Sequence, residues 1–161
     1  MSLLAIYLQD HHAAAVAGTR LARRVASNVS SEDVSGDLSE VAEEIADDLA
    51  ALETIMRRLG TRPSGVKDAI ARGGEQLGRL KLNGRLRKRS PLSDVVELET
   101  LVVGITGKQA LWVSLRSATS LPADELDHLV ERAERQKQIV ERAREAAARR
   151  AFAPHGRSGE G

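Results

Sequence analysis

His11, Glu44, Asp48, Glu99 and Gln136 are the residues of this chain whose types and spacing bear on chemistry. His11, Asp48, Glu99 and Gln136 each fall on the expected inward stripe of a different helix, and Glu44 lies one turn before Asp48. A buried carboxylate without a partner costs several kcal/mol or shifts its pKa, so these groups must meet one another or a cation. Two arrangements satisfy that demand, besides a layer that holds some other ligand. In one, His11, Glu44, Asp48 and Glu99 ligate a divalent metal such as Fe, Mn or Zn. In the other, the polar groups form a hydrogen-bonded layer that fixes helix register, with Lys108 or a nearby arginine neutralising the acids. The second needs no cofactor and is the reading favoured here.

Other chemistry finds less support. No cysteine is present, which removes disulfides and thiolate metal sites. No Gly-x-Ser-x-Gly elbow occurs, and no histidine and acid pair with a particular serine. Gly104 and Gly107 lack a following Lys-Ser/Thr phosphate-loop pattern and read as sites of close helix packing. His12 lies off the expected stripe, and His155 lies near the last residue.

Charge is segregated, although the net value is only +1. From Glu32 to Glu53 every charged residue is acidic, whereas Arg57 to Arg89 is dominated by Lys and Arg. The dense run Arg79, Lys81, Arg85, Arg87, Lys88, Arg89 reads first as a solvated or internally paired segment, and otherwise as a surface for an acidic protein partner or for self-association into a homo-oligomer. Nucleic acid fits it poorly, because no aromatic is interleaved for stacking and no DNA-binding motif surrounds it.

The elements that would position these residues are helices. The apolar residues are mostly Leu, Ala, Val and Ile, and the aromatics are Tyr7, Trp112 and Phe152 alone. Such a composition suits helix far better than a sandwich or barrel. The first helix runs from about Leu3 to Val25, capped by Ser2, with an inward stripe of Leu4, Tyr7, His11, Ala14, Gly18, Leu21 and Val25. A second opens at Asp37 after a polar turn, Asn28 to Gly36, and carries Leu38, Val41, Ile45, Asp48, Leu52, Ile55 and Leu59. Gly60 and Pro63 mark its end.

Ser90-Pro91 starts a third helix to about Arg116, with the stripe Leu92, Val95, Glu99, Val102, Thr106, Gln109 and Val113. Leu98, Leu101, Ile105, Trp112 and Leu115 form a second apolar face, which predicts the most buried helix of the set. The fourth opens at Ser120-Leu121-Pro122 and carries Leu126, Leu129, Ala133, Gln136, Val140, Ala143 and Ala147.

The segment between the second and third helices, 61–91, is too long for a hairpin turn. Read as a partly helical crossover, broken at Gly73-Gly74, it can run the length of a bundle. The expected fold is therefore an all-α, ferritin-like antiparallel four-helix bundle, one domain over 1–152 followed by a disordered tail, 153–161. Leu3–Leu8 is too short for a signal-peptide core, and Val95–Leu115 is interrupted by Glu97, Glu99 and Lys108. The expectation is a cytoplasmic protein with no membrane span.

Tyr7-Leu8-Gln9-Asp10-His11, Ile55-Met56-Arg57-Arg58-Leu59-Gly60, Leu77-Gly78-Arg79-Leu80-Lys81-Leu82-Asn83-Gly84-Arg85 and Glu97-Leu98-Glu99 with Gly107-Lys108 and Trp112 resemble a family of bacterial hypothetical proteins. The layout of that family is similar to ferritin-like bundles, and the resemblance runs to about Phe152. It implies a fold and no activity. The di-iron members of that fold class pair one Glu on each of two helices with Glu-x-x-His on each of the others. Here Glu125-x-x-His128 is present, but the first helix has no glutamate and the second no histidine. The functional expectation is a non-catalytic binding or scaffolding protein. Its alternative is a metal-binding protein or oxidase with a nonstandard His/carboxylate site.

Overall fold

A computed structural model describes residues 2–28, 32–63, 65 and 90–153. Four helices account for nearly all of them: α1 (Leu3–Asn28), α2 (Glu32–Arg58), α3 (Pro91–Ala118) and α4 (Ala123–Phe152). No strand occurs among the described residues.

Local signals place the helix ends. Ser2 accepts the Ala5 backbone N–H at 3.1 Å, so it caps α1 as expected. Beyond α2, Gly60 adopts φ +71°. Its N–H bonds Arg57 O at 3.1 Å and that of Thr61 bonds Met56 O at 2.8 Å. This is the Schellman pattern, which needs a residue tolerant of positive φ at that point. At the start of α3 the Ser90 N–H donates to Ser93 Oγ at 3.1 Å, and Pro91 fills the first helical position.

One boundary departs from the sequence reading. Helix α2 begins at Glu32, not Asp37, and passes through Gly36. A single interior glycine costs about 1 kcal/mol, less than the burial of Leu38 and Val41 just beyond it returns.

Cross-helix contacts define the topology. Tyr7 meets Ser114 and Arg24 meets Glu97, so α1 and α3 are antiparallel. His12 with Glu53 sets α1 against α2, Arg58 with Glu125 sets α2 against α4, and Arg116 with Asp127 sets α3 against α4. Every pair of helices with neighbouring backbones is antiparallel, while α2 and α3 are parallel and diagonal to each other, in contact through side chains. Helix α2 thus ends at the opposite end of the bundle from where α3 begins, the connection of a ferritin-like bundle. The crossover expected there falls mostly on residues outside those described.

The core has two large clusters and a small third one, Ala13 and Val16 of α1 with Leu49 packed against them. One large cluster joins Leu21, Val25, Leu38, Val41, Ile45, Leu98, Leu101, Ile105 and Val140. The other joins Leu8, Leu52, Ile55, Met56, Leu111, Trp112, Leu115, Leu126 and Leu129. The expected stripes of α2 and α4 are buried almost throughout.

Those of α1 and α3 are rotated. In α1, Leu8, His12, Ala13, Val16 and Thr19 are buried, whereas Ala14 is exposed and His11 half-buried. In α3 the buried face is Val95, Leu98, Leu101, Ile105, Leu111, Trp112 and Leu115. Glu99, Thr106, Leu92 and Val113 are exposed instead. Helix α3 is therefore not buried all round: between Thr100 and Ser114 its outer surface is Val103, Gly104, Thr106, Ala110, Val113 and Ser114.

A polar layer and a cavity at mid-bundle

The two apolar clusters are separated by a layer of charged and amide side chains from three helices. Asp48 on α2 is 2% exposed and is held from three sides. Lys108 on α3 donates to Oδ2, Arg132 on α4 donates to Oδ1, and Gln136 Nε2 on α4 donates to Oδ2 at 3.1 Å. Gln136, fully buried, also donates to Glu44 Oε2 at 2.9 Å and accepts from Lys108 Nζ at 2.5 Å. One amide therefore connects α2, α3 and α4.

The charges balance, with Asp48 and Glu44 set against Lys108 and Arg132. Burial lowers the Lys108 pKa from its ordinary value, and the charge and hydrogen bond of Asp48 oppose that shift. Such a cluster contributes little net stability over an apolar substitute, yet it penalises any register that separates the partners.

Among the described residues, α1 supplies no hydrogen-bond partner to Asp48, Lys108 or Gln136. Facing the layer from α1 are Ala14, Ala15 and Gly18, and their small size leaves a cavity of about 250 Å³. Its walls are Leu21 of α1, Ile45, Leu49 and Leu52 of α2, and Leu101, Ile105, Leu111 and Trp112 of α3. Asp48, Lys108 and His11 supply polar points on an otherwise mostly apolar lining. Ala14, Val103 and Gly104 are the exposed members of the lining, which puts the mouth between α1 and α3.

The glycines here correct the expectation of close helix packing. A methyl group built at Gly18, Gly104 or Gly107 would meet nothing within 4 Å. These positions border open space and do not bring helix backbones together.

Three residues of the lining carry polar groups that stand out. Trp112, at 0% exposed, has an indole N–H with no hydrogen-bond partner. Lys108 uses two of its three donors. His11 packs against the edge of the Tyr7 ring, centroids 4.5 Å apart, and its pKa is lowered by burial against a smaller upward pull from Asp10.

The structure thus brings together only part of the expected residue set. Glu44 and Asp48 share Gln136, and His11 shares the cavity lining with Asp48. Glu99 lies on the outer face of α3, away from the layer. Among the described residues no group of three or more His, Asp or Glu side chains is placed to hold a metal ion. His128 is exposed near the start of α4.

His12 is buried where His11 had been expected, and its Nε2 lies 3.1 Å from Glu53 Oε1. Sequence reasoning missed Arg132 as a specific partner. It lies one turn before Gln136 on α4, a spacing that could have revealed it. The basic run Arg79–Arg89 lies outside the described residues. No helix among the described residues is long and apolar enough to cross a membrane.

No protein-family model, curated protein or solved structure matches this chain.

Proposed function

We propose that this chain is a non-catalytic binding protein that takes a small, mainly apolar molecule into the mid-bundle cavity. The observation that carries this reading is the cavity itself, apolar on most of its wall and bounded by a few convergent polar groups. A dry apolar cavity of about 150 Å³ is enough to bind benzene. At about 250 Å³ this one has room for roughly ten non-hydrogen atoms.

The glycines support the same reading. Glycine inside a helix costs about 1 kcal/mol against alanine. Gly18, Gly104 and Gly107 carry that cost beside open space, where alanine would fit. Retaining them keeps the groove wide. The carboxylate of Asp48 already receives three donors, which argues against its use as a base.

The chain has a single tryptophan, and Trp112 lines the cavity. Titration with toluene should therefore shift its emission. Toluene should also raise the melting temperature, because a ligand that binds only the folded state stabilises it by mass action. Gly18→Leu, which fills the cavity from α1, should abolish both responses. Unchanged emission and melting with toluene and with 2-octanone would remove this reading.

A further inference from the structure

Resting on that reading, we infer that the ligand is an extended alkyl chain of about ten non-hydrogen atoms, lying lengthwise in the slot between α1 and α3. Shape decides this, not the polar groups of the wall. The lining runs from Thr100 to Trp112 on α3, about 18 Å of helix, and from His11 to Leu21 on α1, about 15 Å. Gathered into a sphere, about 250 Å³ would measure only about 8 Å across.

Long side chains can reach a compact cavity from a turn away, but short ones cannot. Thr100, Val103, Gly104 and Gly107 all line the space, and they alone cover about 10 Å of α3. Across from them stand Ala14, Ala15 and Gly18 of α1. The Tyr7–Ser114 and Arg24–Glu97 contacts set Ala14 level with Gly107, and Gly18 level with Val103 and Gly104. A methyl group at Gly18, Gly104 or Gly107 would meet nothing within 4 Å. The volume spread over this length is a narrow slot, not a chamber.

The two ends of the slot reach different parts of the core. Leu21, Ile45 and Leu101 stand at one end and belong to one large apolar cluster. Leu52, Leu111 and Trp112 stand at the other and belong to the second. Asp48 and Lys108 lie between, already bonded to each other. A straight chain lays methylenes against both apolar ends. A branched molecule of the same size fills one part of the slot and leaves the rest without partner atoms, so it buries less apolar surface.

The test compares two isomers by calorimetry with the intact chain: 1-octanol and 2,2,4-trimethyl-1-pentanol. They share a formula and a terminal hydroxyl and differ in shape. 1-Octanol should bind at least tenfold tighter. From 1-hexanol through 1-octanol and 1-decanol to 1-dodecanol, affinity should rise about fourfold for each methylene buried, until the slot is full. Leu21→Ala, which opens one end, should move that limit to a longer chain.

Equal binding of the two isomers, or tighter binding of the branched one, would overturn the extended chain while leaving the cavity reading intact. Binding of neither, with toluene still shifting Trp112 emission, would do the same. Silence of toluene as well would remove the cavity reading and this inference with it. A limit that stays put in folded Leu21→Ala would overturn the lengthwise placement. The comparison on the unmodified protein decides the matter even if Leu21→Ala fails to fold.

Discussion

Lys108 on α3 and Gln136 on α4 are joined by a 2.5 Å hydrogen bond, and both donate to the same oxygen of Asp48 on α2. This triangle sits between two apolar clusters and ties three helices at one level. A slip of α4 by one turn would leave only one of Gln136 and Arg132 in reach of Asp48, because the two are themselves one turn apart. The layer therefore acts on register more than on total stability, because two charges removed from water recover little net free energy even when well paired.

Asp48→Asn should be among the most damaging single changes in the chain. It keeps the shape but leaves Lys108 and Arg132 buried near each other without the carboxylate between them. The expected loss is about 3 kcal/mol, at the low end for breaking a buried ion pair. At this chain length that lowers the melting temperature by roughly 6–12 °C. Lys108→Met in the same protein should recover part of the loss, since the double change removes a cation as well. Strictly additive losses in a double-mutant cycle would refute the coupling.

Gly104→Ala and Gly107→Ala should each stabilise the protein by about 0.5–1 kcal/mol. A methyl at either position meets nothing within 4 Å, and alanine is the better helix former. Urea denaturation measures this directly. Destabilisation by either change would mean that the helices pack more closely at that point than the structure shows.

Two helices were readable in phase; in α3 the second of the two faces read from the spacing, Leu98, Leu101, Ile105, Trp112 and Leu115, is the buried one, and in α1 only Leu21 and Val25 of the stripe are buried. In α2 and α4 the apolar residues form one narrow stripe against a strongly charged remainder, so only one face can turn inward. Leu126, Leu129, Ala133, Gln136, Val140, Ala143 and Ala147 are all buried as the spacing requires. Helix α3 has apolar residues on nearly every side, so its periodicity does not select a face. Glu99 was placed inward on that weak signal and lies outward.

Helix α1 is rich in alanine, which is compatible with either side, and its true face is marked by Leu8 and His12. The polar layer was legible in Asp48 and Gln136, which sit on the two clear stripes. The cavity was not legible, because its volume arises from Ala14, Ala15 and Gly18 facing α2 and α3 across the bundle. That relation exists only once the helices are assembled.

Dialysis against a chelator should leave the melting temperature unchanged, and elemental analysis of untagged protein should find no stoichiometric Fe, Mn or Zn. The reasoning is local. Asp48 is engaged by Lys108, Arg132 and Gln136, and a cation at its oxygens would have to displace two positive side chains. Stoichiometric metal, lost together with stability on chelation and on Asp48→Asn, would establish His11, Glu44 or Asp48 as ligands instead.

His11 should make the protein less stable as pH falls below neutrality. Burial lowers its pKa from 6.5, and the charge of Asp10 opposes the shift only in part. The unfolded chain binds a proton near 6.5, while the folded chain resists it until a lower pH. Within that window the unfolded state carries more protons, so stability decreases on acidification and levels off below the folded value. The groups around His11 are the Tyr7 ring, Asp10 on its own helix, and Asp48 and Lys108 across the cavity. The expected result is a larger drop in melting temperature from about pH 7.5 to about pH 5.5 in the wild type than in His11→Gln. Urea melts across the same range should give the same ordering. Parallel pH profiles for the two proteins would show that the histidine titrates alike in both states, and its burial beside the cavity would then carry no energetic consequence.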